Sequence, residues 1–174
     1  MTVATLRPNS DESTGCLVNP SGSHYSTLNE STTNDSTYII SPNNGSWGED
    51  RLGLPNHSSE SVVISNVRLY TRIKNVNGLS NIAHYQIGLY VNSTAYRIAS
   101  AYAPESWTNL YNDWTTNPNT SAAWSWSDID NLQVLIKLES VFGSELYYYN
   151  NMCSQVRIRP SVPPSVLYTC SYSR

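Results

Sequence analysis

Charge is the first thing this chain lacks. Charged residues make up 13% of its 174 positions, about half the share usual in a globular domain. Lysine occurs only at Lys74 and Lys137, and the remaining cations are eight arginines. The net charge of −3, with no clustered basic stripe, argues against a nucleic-acid polyanion as partner. No apolar run approaches the ~18 residues that a membrane-spanning helix needs. Residues 1–9 lack a charged start followed by an apolar stretch, so no secretory signal is read there. The expectation is either a signal already removed or a route that needs no export, as when a virus particle assembles inside its host. Three cysteines, Cys16, Cys153 and Cys170, leave three possibilities open: small buried hydrophobes, one disulfide with a spare thiol, or a bridge between chains. Their spacing resembles no zinc site.

What is abundant is polar and aromatic. Asn, Ser and Thr fill 60 positions, and thirteen Tyr and five Trp stand against one Phe. Disordered chains lack such aromatics, and the balance suits an extracellular or particle-surface β protein. One domain is the default at this length, large enough to bury roughly two-thirds of its unfolded surface without a staple. Six Asn-x-Ser/Thr triplets begin at Asn29, Asn34, Asn44, Asn56, Asn92 and Asn119. They become glycosylation sites only where the chain meets the transferase.

Helical periodicity is nearly absent and period-two alternation recurs. Val63, Val67, Leu69, Thr71 and Ile73 share one face of a long strand, with Asn66, Arg68, Tyr70, Arg72 and Lys74 on the other. The next strand places Tyr85, Ile87, Leu89 and Val91 inward and His84, Gln86, Gly88 and Tyr90 outward. Asn77-Gly78 marks the turn between them, and residues 91–95 read as a tight hairpin. Alternation returns at Val134/Ile136/Leu138, Leu146/Tyr148, Val156/Ile158 and residues 166–172. Residues 3–7, 24–29 and 37–41 read as shorter strands. Residues 9–15, 30–35 and 42–56 read as polar loops, the last a candidate interaction loop. Only residues 127–132 read as helix, with Ser127 as N-cap. About ten short strands and one helical turn, without a βαβ unit, predict an all-β fold: an antiparallel jelly-roll β-sandwich over residues 1–160. Residues 161–174, set off by prolines, form a terminal strand or tail suited to pairing with a neighbouring subunit.

Several segments carry a resemblance. They are residues 5–9, 24–30, 35–39, 64–70, 115–134 and 153–158, with Trp124 or Trp126 ahead of Asp128, Ile129, Leu132, Gln133 and Val134. In this pattern the chain resembles a sparsely characterised β-sandwich family of tailed phages and virus-like contigs. That family is similar to the galactose-binding-like jelly rolls. The resemblance implies the same core and, because such folds often hold one, a structural calcium site. Asp11, Glu12, Glu30 and Asp35 are the calcium candidates, although calcium needs six to eight converging oxygens. It implies no other cofactor.

Candidate binding residues are aromatic. Trp124 and Trp126 lie two apart, so on a strand they share a face, fit either for stacking on a sugar ring or for core packing. Tyr147 and Tyr149 share the face opposite Tyr148 and suit glycan or protein contact. Tyr70 and Tyr90, with neighbouring arginines, extend such a face, while Trp107 and Trp114 flank Tyr111 at a sheet edge. The acid pairs Glu49-Asp50, Asp128/Asp130 and Asp11-Glu12 show no cross-cleft arrangement for catalysis. His24, His57 and His84 lack ligand spacing, and no Gly-x-Ser-x-Gly elbow occurs.

The sequence therefore predicts a non-enzymatic virion structural protein, a capsid-decorating or tail-associated jelly-roll subunit. It would be displayed on a particle and act as a homo-oligomer through assembly contacts with other subunits. The alternatives are a carbohydrate-binding module of a surface or secreted protein, holding glycans on exposed aromatics, and a self-assembling extracellular filament subunit.

Overall fold

The computed structural model describes residues 4–19, 21–32, 34–42, 45–57, 63–75, 83–140, 149–150 and 155–160. Thirteen strand segments and two short helices lie among them. The strands are β1 (Ala4–Leu6), β2 (Ser10–Ser13), β3 (Leu17–Asn19), β4 (Tyr38–Ile40), β5 (Trp47–Gly53), β6 (Ile64–Asn75), β7 (Ala83–Val91), β8 (Thr94–Arg97), β9 (Ala101–Tyr102), β10 (Thr108–Trp114), β11 (Gln133–Ser140), β12 (Tyr149–Asn150) and β13 (Gln155–Pro160). The helices are α1 (His24–Leu28) and α2 (Trp126–Asp130). Every pairing is antiparallel.

Sheet I has the order β1-β13-β6-β10, with β12 also against β6. Sheet II has the order β2-β5-β11-β7-β8, with β9 also on β7. A small third sheet joins β3 to β4. The chain passes repeatedly from one main sheet to the other, so most pairs join distant segments, the mark of the jelly roll expected from the sequence. The alternation in β6 and β7 is realised as read. Val67, Leu69, Thr71 and Ile73 are buried on one sheet, and Tyr85, Ile87, Leu89 and Val91 on the other. Val134, Ile136 and Leu138 of β11 join them in one core cluster with Leu28, Leu52 and Trp124. Each such aliphatic side chain contributes roughly 1.5–3 kcal/mol when removed from water. Val63 is the exception, 60% exposed one residue before β6 begins.

The hairpin between β7 and β8 is also as expected. Val91 pairs with Thr94, and Asn92 and Ser93 take φ of 47° and 63°, the doubly positive turn that matches strand twist. Four local readings are corrected, the first at residues 9–15, read as a loop, where β2 pairs with β5. Residues 24–29, read as a strand, hold the helix α1 and its C-cap Asn29 because the Asp11 carboxylate accepts the backbone N–H groups of His24 and Tyr25 at 3.0 and 2.6 Å, satisfying first-turn donors no strand partner reaches. Residues 42–56 are no free loop: β5 lies there, between β2 and β11. Helix α2 starts two residues early, because Ser125 caps it. Its hydroxyl accepts from Asp128 N while the Asp128 carboxylate accepts from Ser125 N, a reciprocal capping box.

Strand β5 escaped notice because its inward residues are Gly48, Asp50 and Leu52, with an acid in the middle. Asp50 is fully buried. Its Oδ1 accepts from Gly15 N at 2.8 Å and Cys16 N at 2.9 Å, and its Oδ2 lies 2.6 Å from His24 Nδ1. A buried carboxylate is tolerated when its lone pairs are filled in this way. The same carboxylate ties β5 to the start of β3 and to α1. Cys16 is a buried free thiol, and its ionisation is pushed well above the ordinary range by burial first and by Asp50 second. Cys153, Cys170, Asn44, the turn at Asn77-Gly78, residues 141–148 and residues 161–174 lie outside the described residues. No helix among the described residues is long and apolar enough to cross a membrane.

Candidate binding faces

Residues directly opposite on neighbouring strands share a face, so the strand registers map the outer side of each sheet. On sheet II one row reads Tyr102, His84, Glu139, Trp47. The next reads Gln86, Lys137, Glu49. The third reads Arg97, Gly88, Leu135, Arg51, and the fourth Ala95, Tyr90, Gln133, Gly53, Ser10. Four rows at two residues each span about 20 Å along the strands.

Aromatic rings mark both ends of this face. At the first row, the His84 ring lies 4.5 Å from Tyr102 and 6.3 Å from Trp47. His84 Nδ1 is 3.2 Å from Glu139 Oε2, without the alignment of a hydrogen bond. Lys137 Nζ stands 4.9 Å over Trp47. At the fourth row the Arg51 guanidinium covers Tyr90 at 4.6 Å. Between them Arg97 binds Glu49 at 2.6 Å, and Leu135 is buried beneath the polar groups. Two glycines keep the surface low. A side chain at Gly88 would run into the backbone of Tyr96 and come within 2.8 Å of Arg97 Cα. One at Gly53 would strike the Ser10 hydroxyl and meet Glu12 Oε1 at 2.8 Å.

The fourth row opens into two adjoining hollows. One, of about 280 Å³, is lined by Tyr90, Asn92, Ser93, Asn131 and Gln133. The other, of about 250 Å³, includes Ser10, Glu12, Asn56, Asp130, Asn131 and Gln133 in its lining. Gln133 belongs to both, and its Oε1 is buried with no hydrogen-bond partner. An orphaned buried acceptor costs about 1–3 kcal/mol.

The outer side of sheet I is built differently. Asn109, Tyr111 and Asp113 of β10 stand opposite Arg72, Tyr70 and Arg68 of β6. Arg68 donates to both oxygens of Asp113, at 2.6 and 2.5 Å, and Asn66 donates to Oδ1 at 2.7 Å. Arg72 donates to both oxygens of Asp35 at 2.9 Å, and to Asn109 at 3.2 Å. These fork-to-carboxylate bonds are the strong kind. They hold both guanidinium groups charged, above even their usual range, Arg68 through Asp113 first and Tyr70 next, Arg72 through Asp35. Arg68 also lies 4.2 Å over the Tyr111 ring, and Arg72 lies 5.2 Å over Trp107.

The aromatics singled out in the sequence thus separate. Tyr90 sits in the sheet II groove and Tyr70 on sheet I. Trp124 is a core residue, 4% exposed, bridged to Ile64 and donating from Nε1 to the Trp114 carbonyl at 2.9 Å. Trp126 opens α2 instead of extending a strand. It packs on the core and stacks on His57 at 4.7 Å. The backbone of Tyr149 pairs with Asn75, and Tyr147 lies outside the described residues. The calcium candidates also diverge. Asp11 caps α1, and Glu12 accepts from Ser10 at 2.7 Å. Glu30 Oε1 accepts from Asn34 and Thr37 at 3.1 and 2.6 Å, and Asp35 binds Arg72. Among the described residues no three His, Cys, Asp or Glu gather as a metal site. The acid pairs separate too: Glu49 faces outward to Arg97 while Asp50 faces His24, and Asp130 accepts from His57 N at 2.8 Å. Gln133, Asn131 and Tyr102 were not singled out as binding residues. Only outward position in an alternating strand hinted at Gln133.

No family model and no curated protein matches the chain. Solved structures do. The CBM22-1 xylan-binding domain of Xyn10C from Paenibacillus barcinonensis is similar at 12% identity, over 88% of this chain and 86% of that one, with a TM-score of 0.43. The carbohydrate-binding module CBM6cm-2 of Cellvibrio mixtus lichenase 5A, solved with cellotriose, is similar at 11% identity, over 93% and 100%, with a TM-score of 0.36. The CBM36-1 domain of a multidomain xylanase from the hindgut metagenome of Trinervitermes trinervoides is similar at 10% identity, over 93% and 98%, with a TM-score of 0.34. These are β-sandwich carbohydrate-binding modules. The expectation of a virion structural protein is corrected: no phage family, particle subunit or homo-oligomer is found among the matches, which are described as carbohydrate-binding modules. Likeness at this depth says nothing of this chain's own ligand, which its surface chemistry has to supply.

Proposed function

We propose that this chain is a non-catalytic glycan-binding module whose ligand lies on the outer side of sheet II, with an extracellular or surface-associated place of work. The observation that carries this reading is the pair of polar hollows that share Gln133 and Asn131 beside the Tyr90 ring. A sugar offers what this corner lacks and what it displays. Its hydroxyls donate to Gln133 Oε1 and to the Glu12 carboxylate, and its C–H face covers an aromatic ring. The acids Glu12 and Asp130 in the lining disfavour an anionic sugar at this end, so the ligand is neutral. Six-membered sugars repeat about every 5 Å, so the ~20 Å face holds a chain of several units from Tyr90 toward Tyr102.

The experiment is titration calorimetry against neutral oligosaccharides chosen from an array. Gln133→Ala and Tyr90→Ala each weaken binding at least about tenfold, the size of one to three lost kilocalories, with unchanged thermal unfolding. Full affinity in both variants would defeat the reading.

A further inference from the structure

A ligand lying along sheet II from Tyr90 toward Tyr102 meets an obstacle halfway. Strands β11 and β7 stand between β5 and β8 in this sheet, yet Arg97 of β8 donates to Glu49 of β5 at 2.6 Å. Both side chains belong to the outer face. Arg97 pairs with Gly88, while Glu49 pairs with Lys137 and Lys137 with Gln86, two residues before Gly88. The bond therefore passes over the outer side of β7 and β11, between the row of Tyr90 and the row of Tyr102. Gly88 makes room for the crossing. A side chain there would come within 2.8 Å of Arg97 Cα, so β8 leans over β7 at the point where β7 has none.

Leu135 sits in the row that the bond crosses. It faces outward, opposite Gly88 on one side and Arg51 on the other. It stands outside the core cluster, yet it is only 1% exposed. An outward leucine stays dry only beneath other side chains, and the long stem of an arginine covers apolar surface in this way. Gly88 has no side chain to offer, and Arg51 and Lys137 lie over the Tyr90 and Trp47 rings. We infer that the Arg97–Glu49 pair is a movable strap that closes over Leu135 and sets the length of glycan the face accepts. This rests on the glycan-binding reading above. A short neutral sugar fills the hollows at Tyr90 and Gln133 and leaves the strap shut. A longer one has to open it, lays its C–H face on Leu135, and reaches the Tyr102 ring, which is 51% exposed. Opening is easy, because the Arg97 and Glu49 side chains are 30% and 32% exposed and such pairs hold weakly. A ligand that needs the open state binds less tightly by the fraction of chains in which the strap is shut.

The test is titration, followed by NMR, with cello- and xylo-oligosaccharides of two and five units. Glu49→Gln and Arg97→Met each raise affinity for the five-unit ligand about two- to fivefold. The double variant raises it no further, since either change removes the same bond. The parent approaches the variants as salt rises from about 0.05 to about 0.5 M, because salt screens an exposed pair, and the variants stay constant. The two-unit ligand binds parent and strap variants alike at both salts, whereas Tyr90→Ala weakens both lengths. A gain in affinity is a result that damage to the fold does not produce. The inference falls if the five-unit ligand binds the parent and both single variants equally, if the two gains add in the double variant, or if the two-unit ligand gains as much. Any of these leaves the glycan-binding reading standing. If none of the probes binds, the inference falls, and that reading falls with it only when the glycan array is blank as well.

Discussion

The two outer faces of the sandwich come from strands with the same alternating pattern, yet they differ in how their polar groups are used. On sheet I, Arg68 and Arg72 are each forked onto a carboxylate, and Asn66 and Asn109 join the same ladder. On sheet II, an amide oxygen is left without a donor, two hollows open beside it, and Gly53 and Gly88 hold the floor down. The forks give sheet I rigidity and charge, although Asn66 Oδ1 is buried there without a partner. The hollows give sheet II room for the proposed glycan. The contrast lies in the forked guanidiniums of one face and the hollows of the other, since tyrosine, arginine and an unpartnered amide oxygen occur on both.

The sharpest break of this contrast attacks what both faces share. Asp50→Ala strands His24 and two backbone N–H groups where β5 meets β3 and α1, and should cost about 3–5 kcal/mol, as removal of one member of a buried pair does. Denaturant unfolding checks it, and a loss below about 1 kcal/mol would mean that the Asp50 network does not anchor the sandwich. Next in size, Gly88→Ala forces the β8 backbone aside and should lower stability by about 2–3 kcal/mol, within the usual range for severe core or backbone lesions. Its glycan affinity should fall together with its melting temperature.

Gln133→Ala is expected to separate the faces cleanly. It removes about 1–3 kcal/mol of ligand binding without lowering stability, since the truncation also removes the unpartnered buried oxygen. The Cys16 thiol and the Tyr85 hydroxyl both ionise later in the fold than in the unfolded chain, each because of burial first. The unfolded chain therefore releases these protons while the native chain keeps them. Stability is full below the ordinary thiol range and declines as pH rises through it, by at most about 1.4 kcal/mol per pH unit per group. Cys16→Ala should flatten the first part of that decline in chemical unfolding followed between pH 8 and 11, a range set by the ordinary thiol and phenol values. A parent slope identical to that of the variant would refute it. The smallest effect belongs to Glu49→Gln, which opens the half-exposed pair with Arg97 in the middle of sheet II and should cost under about 1 kcal/mol.

Much of the frame was legible in the residues. The inward sets of β6, β7 and β11, and the hairpin at Asn92 and Ser93, follow from period-two alternation and turn chemistry, which are local. Strand β5 was not legible, because Asp50 occupies an inward position and only partners from Gly15, Cys16 and His24 make that tolerable. Helix α1 was not, because its first-turn donors are satisfied by Asp11, thirteen residues before it. Spacing correctly set Tyr70 and Tyr90 outward on their strands. It could not tell that they sit on opposite sheets, nor that Trp124 fills the core.

By itself, then, the sequence determined an all-β sandwich, the inward residues of its longest strands, and an exterior rich in hydroxyls, amides and tyrosine. The tertiary structure alone decided which outward residues become neighbours, because β6 meets β13 and β7 meets β11 only across long stretches of chain. The pairing of distant strands assembled the arginine–tyrosine face and left Gln133 facing two hollows, since register is fixed by whole-sheet packing and not by any one strand's pattern.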